Sequence, residues 1–218
     1  MNRRAALFDM DRTLLRKHTM TLYVRSQFQE GRASWRDVVQ SFYWIARYTF
    51  GVLDMEQVAQ KAASSLRGVR ESVFARYCED WFDRVVKLHI SEEGKKAVAR
   101  HQEQGDLLAI VTSSHPYWVR PLAHFLRIPY VVTSELEVDQ DGCFTGRFLE
   151  PLCFGMGKVT KSLHLAKRLN FSLSESTFYS DSLTDLPLLE QVKFPVVVNP
   201  DPRLRCLAVA RGWISQKW

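Results

Sequence analysis

Short apolar runs alternate with amphipathic segments over most of the chain, and this alternation predicts a parallel sheet covered by helices. The segments that we interpret as strands are the apolar runs AALF at 5 to 8, LLAIVT at 107 to 112 and VVV at 196 to 198, together with STFYS at 176 to 180. The amphipathic segments between and after them run from Ser91 to Gly105, from Pro116 to Phe125, from about 157 to 169, and over a short stretch before Trp213. We therefore predict an α/β fold with a Rossmann-like parallel core.

Two parts of the chain depart from this rhythm. Three helical patterns follow one another with no strand between them: Trp35 to about Phe50 behind a Ser34 cap, Met55 to Leu66 behind an Asp54 cap, and Val73 to Val85. They predict a separate helical unit. Residues 129 to 149 alternate on either side of DQDG, which predicts a β-hairpin.

The first of these helical patterns is rich in aromatic residues, so it could pack on the rest of the protein, on a second copy or on a membrane surface. Its charged residues, among them Arg36, Asp37 and Arg47, exclude a helix that spans a membrane. We expect packing within the protein.

Charge and cysteine content narrow the class of protein only a little. The net charge of +6 and the isoelectric point near 9.2 suit nucleic acid, an anionic membrane or small anionic substrates. The basic residues form no run and no recognisable nucleic-acid module, so we expect no nucleic-acid partner. Four dispersed cysteines without a CxxC pair predict unpaired thiols in a reducing compartment, and the N-terminal apolar stretch is too short for a signal peptide. We therefore expect a cytoplasmic protein.

Polar side chains follow three of the predicted strands where each strand ends. Asp9 and Asp11 follow the first strand, Thr112 and Ser113 end the second, and Asp181 and Asp185 follow the third. Lys158 stands at the start of a helix, directly after GMG. Open parallel sheets bind ligands at the carboxyl edge of the strands, so we expect these side chains to form one site.

This set of carboxylates, a hydroxyl and an ammonium group suits a phosphate and a hard cation such as Mg²⁺. One carboxylate could attack phosphorus, and its neighbour could transfer protons to and from the leaving group and water. Each part also has an ordinary structural explanation: an Asp-x-Asp pair can be a turn, and a lysine at a helix start can be a solvated residue. Their joint position at strand ends favours a site.

With these residues the sequence resembles the haloacid dehalogenase superfamily, in particular its phosphoserine phosphatase-like branch, subfamily IB. FDMDRTL is similar to the first motif, DxDxT, and AIVTSS to the second. GMGKVTKS is similar to the third, which supplies a lysine, and FYSDSLTDLPLL to the fourth, an acidic pair. The resemblance covers residues 5 to about 200.

The resemblance implies a role for each motif residue. Asp9 would be the nucleophile and a Mg²⁺ ligand, and Asp11 the general acid and base, with its carbonyl oxygen on the metal. Thr112 and Ser113 would hold the phosphoryl group, and Lys158 would bridge it to the nucleophile. Asp181 would be a further metal ligand, and Asp185 would order the water on the metal. Residues 16 to 88 would be a C1-type helical cap on a catalytic core made of residues 1 to 15 and 89 to 218.

Three departures from phosphoserine phosphatases concern the substrate. His18 stands where those enzymes carry the glutamate that recognises the substrate amine, Arg12 replaces a small residue, and TSS replaces SGG. We expect His18, Arg12 and Ser113 to contact the substrate.

The expected function is a Mg²⁺-dependent phosphatase that hydrolyses small phosphomonoesters of the phosphoserine or histidinol phosphate type through an aspartyl phosphate. Transfer of the phosphoryl group to an acceptor other than water, and a non-catalytic or membrane-associated binding protein on the same fold, are the alternatives. A monomer and a homodimer both remain open.

Overall fold

The computed structural model describes residues 3–32, 34–35 and 55–218. Within them, six parallel strands form one sheet, and β4 and β5 form a separate pair that is described below. The six strands are β1 (Ala5–Phe8), β2 (Leu107–Val111), β3 (Tyr130–Val132), β6 (Thr177–Ser180), β7 (Phe194–Val198) and β8 (Ile214–Gln216). Their order in the sheet is β3-β2-β1-β6-β7-β8. Each of the four predicted strands is present. β1 lies between β2 and β6, so the three strands that lead to the predicted site residues are neighbours in the sheet. The predicted α/β fold with a parallel core is confirmed.

Helices connect these strands. The described helices are α1 (Thr19–Gln29), α2 (Met55–Ser64), α3 (Glu71–Arg84), α4 (Glu92–Glu103), α5 (Pro116–Phe125), α6 (Met156–Leu169), the one-turn α7 (Leu186–Leu189) and α8 (Pro202–Arg211). Ser91 caps α4 as predicted, because its hydroxyl oxygen accepts a hydrogen bond from the Gly94 amide at 3.1 Å. The predicted bounds of α5 agree with those of the structure.

The predicted hairpin around DQDG is confirmed, but it does not extend over all of residues 129 to 149. The antiparallel pair is shorter, β4 (Leu136–Val138) with β5 (Phe144–Phe148), and it forms a two-stranded sheet of its own. The first part of the segment, β3, instead pairs in parallel with β2. Alternation alone does not distinguish a hairpin strand from a short edge strand, since both are half-buried.

The helices between β1 and β2 also differ from the prediction. The helix α1 was not predicted, whereas α2 and α3 coincide with the second and third predicted segments. On α3, Phe74, Trp81 and Phe82 are buried as expected, but Val73 is exposed. The helix predicted from Trp35 to about Phe50 lies, after its first residue, outside the described residues.

The buried apolar side chains form two clusters, one on each face of the sheet. The larger cluster includes Phe8 of β1, Trp118 of α5 and Trp81 of α3, so it runs from the sheet into the helices that precede β2. All four cysteines are unpaired, as predicted. In the part of the chain that the structure describes, no helix has the length and apolar character needed to cross a membrane.

Candidate active site

Asp9 and Asp185 meet on one buried lysine at the carboxyl edge of the sheet. The Lys158 ammonium group, at the start of α6, donates to Asp9 Oδ1 at 2.7 Å and to Asp185 Oδ2 at 2.8 Å. Its side chain is 3% exposed, so this double ion pair is almost fully removed from water. The Ser180 hydroxyl also donates to Asp185 Oδ2, at 2.7 Å. Three of the predicted site residues are therefore in direct contact.

Burial makes the charged forms of two aspartates costly. The pKa of Asp9 is raised to about 7, first by burial and further by the charge of Asp185, although Lys158 acts in the opposite direction. The pKa of Asp181 is also raised, by burial and then by the charge of Asp9, against the opposing effect of Arg12. A further cation at this edge would favour the ionised forms of both.

Asp11 lies in different surroundings from Asp9. Its Oδ1 accepts hydrogen bonds from the amide of Thr19, at 2.9 Å, and from the Thr19 hydroxyl. The His18 ring nitrogen Nδ1 lies 3.9 Å from Asp11 Oδ2. Thr19 begins α1, so the first turn of this helix holds the carboxylate that follows β1. His18, the predicted substrate residue, is thus beside the predicted acid and base.

Asp181 pairs with Arg12 rather than with Lys158. Arg12 Nε donates to Asp181 Oδ2 at 3.0 Å, and its Nη2 donates to the Asn199 carbonyl oxygen at 3.0 Å. The Asn199 side-chain amide donates back to the Arg12 carbonyl oxygen at 3.0 Å. Arg12 was predicted to contact the substrate, and in this structure its guanidinium group links the segments after β1, β6 and β7.

The segment after β2 lies beside the acidic residues. Thr112 is buried, its amide donates to the Val132 carbonyl oxygen at 3.0 Å, and its hydroxyl accepts a hydrogen bond from the Ser114 amide at 3.3 Å. Ser113 is half-buried. β2 pairs directly with β1, so Thr112 and Ser113 leave the sheet next to Asp9 and Asp11.

The chemistry of this site fits a divalent cation. Among the described residues no three His, Cys, Asp or Glu side chains are grouped so that they could hold a metal ion by themselves, and Lys158 and Arg12 instead each contact carboxylate oxygens. Mg²⁺ needs no closed protein shell, because it keeps several waters and takes substrate phosphate oxygens. The buried Asp185 Oδ1 has no hydrogen-bond partner among the described residues, and an unpaired buried oxygen is expected to bind water or a cation.

Three residues of this site were not predicted from the sequence: Thr19 on Asp11, Ser180 on Asp185 and Asn199 on Arg12. Ser180 could have been predicted, because it is the last residue of a predicted strand and directly precedes Asp181. The other two gave no signal, because their contacts depend on how α1 and the segment after β7 approach the sheet.

A model of the haloacid dehalogenase-like hydrolases matches residues 6–190. The chain belongs to this family. The matched range includes every residue predicted for the site, and the sequence-based resemblance is confirmed.

Relatives of this haloacid dehalogenase-like hydrolase span most of its length. It is 33% identical to a Streptomyces azureus protein named for inhibition of morphological differentiation, over 97% of this chain and 77% of the relative. It is 29% identical to a histidinol-phosphatase of Neisseria meningitidis, over 95% of this chain and 96% of the relative. The histidinol-phosphatase and the family match confirm the prediction that the protein is a phosphatase.

Solved structures share the fold. A Bordetella pertussis protein described as of unknown function superposes with a TM-score of 0.88 at 31% identity, and the match covers 99% of each chain. A phosphoserine phosphatase solved as a phospho-aspartyl intermediate analogue superposes with a TM-score of 0.74 at 18% identity, over 100% of this chain and 94% of that one. The second likeness bears on the fold alone.

Proposed function

We propose that this hydrolase is a Mg²⁺-dependent phosphomonoesterase in which Asp9 is the nucleophile and Asp11 the general acid and base. The observation that carries the proposal is the separation of these two carboxylates: Asp9 is bound to a buried lysine, whereas Asp11 is bound to a helix start outside that ion pair. Two carboxyl groups in unlike surroundings are suited to unlike roles.

The first half-reaction would be phosphoryl transfer to the protein. An Asp9 oxygen forms a bond to phosphorus while the bond from phosphorus to the ester oxygen breaks, and Asp11 gives a proton to the departing alkoxide. Lys158 offsets the negative charge around Asp9, and Thr112 and the Ser113 amide would donate to phosphoryl oxygens. The product of this step is an aspartyl phosphate and a free alcohol.

The second half-reaction would restore the enzyme. Water attacks the aspartyl phosphate, Asp11 accepts the proton of that water, and phosphate leaves Asp9 as a carboxylate. Mg²⁺, held by Asp9, Asp181 and the Asp11 carbonyl oxygen with help from Asp185, would neutralise charge on the phosphoryl group when bound. The net reaction converts the phosphomonoester and one water into an alcohol and phosphate, and it returns Asp9 and Asp11 to their starting states.

The substrate class that we propose is a small phosphorylated metabolite. Support for this class comes from the histidinol-phosphatase relative and from a relative named phosphoserine phosphatase in Mycobacterium tuberculosis, which is 29% identical over 96% of this chain. His18, whose Nδ1 lies 3.9 Å from Asp11 Oδ2, would contact the leaving group. The proposal also includes the division into a core and a helical cap at residues 16 to 88. The two connections between these parts run side by side, since the Arg16 amide donates to the His89 carbonyl oxygen at 2.8 Å. A cytoplasmic location and a monomeric or homodimeric state stay predictions.

The test is phosphate release from a panel of phosphomonoesters, with and without Mg²⁺, by the wild type and by Asp9→Asn. The panel holds phosphoserine, histidinol phosphate, sugar phosphates, nucleotides and lysophosphatidic acid. Asp106→Asn is the matched control, because Asp106 is similarly buried but precedes β2 at the opposite end of the strands. We expect Mg²⁺-dependent turnover by the wild type and the control and none by Asp9→Asn.

Two additions separate hydrolysis from its alternatives. The first is to quench the reaction with acid and look for phosphate from the substrate bound to the protein. Release of this phosphate by hydroxylamine is the expected sign of an aspartyl phosphate. Phosphorylated products that form when alcohols are added would instead identify transfer to a non-water acceptor. Folded wild-type protein that turns over no member of the panel with Mg²⁺ would contradict the proposal.

A further inference from the structure

Arg12 connects the first motif to two other strand ends. It lies between Asp11 and Thr13 with φ of 56°, in the left-handed region that Gly and Asn adopt more easily than Arg. From there its guanidinium group bonds Asp181 and the Asn199 carbonyl oxygen, and the Asn199 side chain bonds back to its main chain. The arginine is therefore held at both its backbone and its side chain.

Arg12 shares Asp181 with the cation of the proposed function. Asp181 is a proposed metal ligand, yet one of its oxygens already accepts a hydrogen bond from a permanent positive charge. We propose that Arg12 is a built-in counter-ion of Asp181 that competes with the divalent cation and so lowers the affinity of the site for it. This inference rests on the proposed metal site and adds a residue that sets how tightly the site binds.

Competition follows from charge and from exposure. The Asp181 side chain is 9% exposed, so its charge needs a partner whenever no metal ion is bound. The Arg12 side chain is 42% exposed, which leaves its head group room to turn towards water when a stronger cation binds. A unit positive charge next to a divalent ion changes the affinity on the order of tenfold even in a water-like dielectric.

The measurement is Mg²⁺ binding to phosphate-free protein by isothermal titration calorimetry, together with the melting temperature with and without Mg²⁺ at fixed ionic strength. Arg12→Asn removes the charge and suits the left-handed backbone, and Arg12→Gly replaces it if that variant does not fold. We expect Arg12→Asn to bind Mg²⁺ about tenfold more tightly and to melt at a lower temperature without the ion. Its melting temperature then rises more on adding Mg²⁺ than that of the wild type.

Two control variants separate charge from the loss of an ion pair. Arg12→Lys keeps the charge, so its Mg²⁺ affinity should stay within about threefold of the wild type. Arg4→Asn breaks a matched pair, because Arg4 Nε lies 3.1 Å from Asp106 Oδ1 with side chains 55% and 7% exposed. That pair precedes the strands, so Arg4→Asn should lower the melting temperature without changing the Mg²⁺ affinity.

The outcomes also separate this inference from the proposed function. If the wild type binds Mg²⁺ and Arg12→Asn binds it equally or less tightly, the competition is refuted and the metal site stands. Tighter binding by both Arg12→Asn and Arg4→Asn would also refute it, because a general loosening of the protein would then be the cause. If neither the wild type nor Arg12→Asn binds Mg²⁺, the inference and the proposed metal site both fail.

Discussion

At the residue scale, Thr19 determines where the Asp11 carboxylate lies. Both its amide and its hydroxyl donate to the same oxygen, Asp11 Oδ1, and the threonine itself is 1% exposed. The carboxylate that is proposed to move protons is therefore fixed from one side, and Oδ2 remains on the side of His18. This arrangement leaves one oxygen to hold the group in place and the other for proton transfer.

We expect Thr19→Val to lower kcat about tenfold with little change in KM, because the variant removes one of two hydrogen bonds that position the general acid and keeps the size of the side chain. The measurement is steady-state phosphate release on the best substrate of the panel. Thr160→Val is the control, since Thr160 is exposed on α6 and its hydroxyl bonds only within the helix. An unchanged kcat would show that the Thr19 amide alone suffices.

The burial of His115 should make the free energy of unfolding depend on pH. Its ring is packed against Phe74, Tyr117 and Trp118, and burial lowers the pKa of His115 from 6.5 to about 3. The folded state therefore binds a proton less readily than the unfolded state. The stabilisation by neutral His115 is complete above about pH 6.5 and is lost as the pH falls towards 3.

His115→Phe should remove this dependence. Between pH 7 and pH 5 the free energy of unfolding of the wild type should fall by about 2 kcal/mol more than that of the variant. Urea unfolding at the two pH values measures the difference. His124→Phe is the control, because His124 is exposed on α5, the helix that His115 directly precedes. Parallel pH profiles for wild type and His115→Phe would contradict the prediction.

The motif residues could be predicted from the sequence because each lies within a few positions of a strand or helix end. Asp9, Thr112 and Asp181 follow strands that apolar runs identify, and Lys158 begins a helix with clear periodicity. The pairing of Arg12 with Asp181 could not, since 169 positions separate the two residues. Such a contact depends on the order of strands in the sheet, which local patterns do not contain.

At the scale of elements, the start of α6 is fixed by close packing. A Cβ atom on Gly157 would lie 1.8 Å from the Leu152 carbonyl oxygen, whereas a real Cβ atom does not come within 3.0 Å. The glycine thus allows the first turn of α6 to touch the segment before it, and that turn carries Lys158 to Asp9. The glycine directly before the lysine, Gly157, therefore has a steric explanation.

Gly157→Ala should therefore move the helix start and weaken both folding and catalysis. We expect a loss of about 3 kcal/mol in the free energy of unfolding, as for overpacked sites, and a fall in kcat/KM of more than about tenfold. Urea unfolding and the phosphatase assay measure the two effects. Met156→Ala is the control, because the neighbouring Met156 is 65% exposed. Wild-type activity in a folded Gly157→Ala protein would contradict this role.

Elements with weak local signals were the ones that sequence analysis missed. Helix α1 has no side-chain cap at His18, and only Thr19, Leu22 and Ser26 are buried on it, so its sequence shows no apolar stripe. Strand β8 has three residues and is mostly exposed at the edge of the sheet. The buried strands were predicted because they contain continuous apolar runs, and the amphipathic helices because apolar residues recur in them at every third or fourth position.

At the scale of the whole molecule, the aromatic residues join the helices before β2 to the sheet. The ring centroids of Trp81 on α3 and Trp118 on α5 are 5.7 Å apart, and the Tyr23 ring on α1 contacts both rings. These rings belong to the same cluster as Phe8 of β1. A continuous buried cluster couples the parts that it joins, so we expect the described helices and the sheet to unfold together.

Trp81→Ala tests that coupling. Trp81 is fully buried and its ring Nε1 donates to Ser26 Oγ at 2.8 Å, so truncation leaves a cavity, removes this hydrogen bond and should cost about 3–5 kcal/mol. If the cluster acts as one unit, the urea midpoint falls but circular dichroism and tryptophan fluorescence still change together, with an unchanged m-value. Trp81→Phe, which keeps most of the ring, should lose less. An early fluorescence transition in Trp81→Ala, with the circular dichroism unchanged at that urea concentration, would mean that α1 and α3 detach while the sheet stays folded.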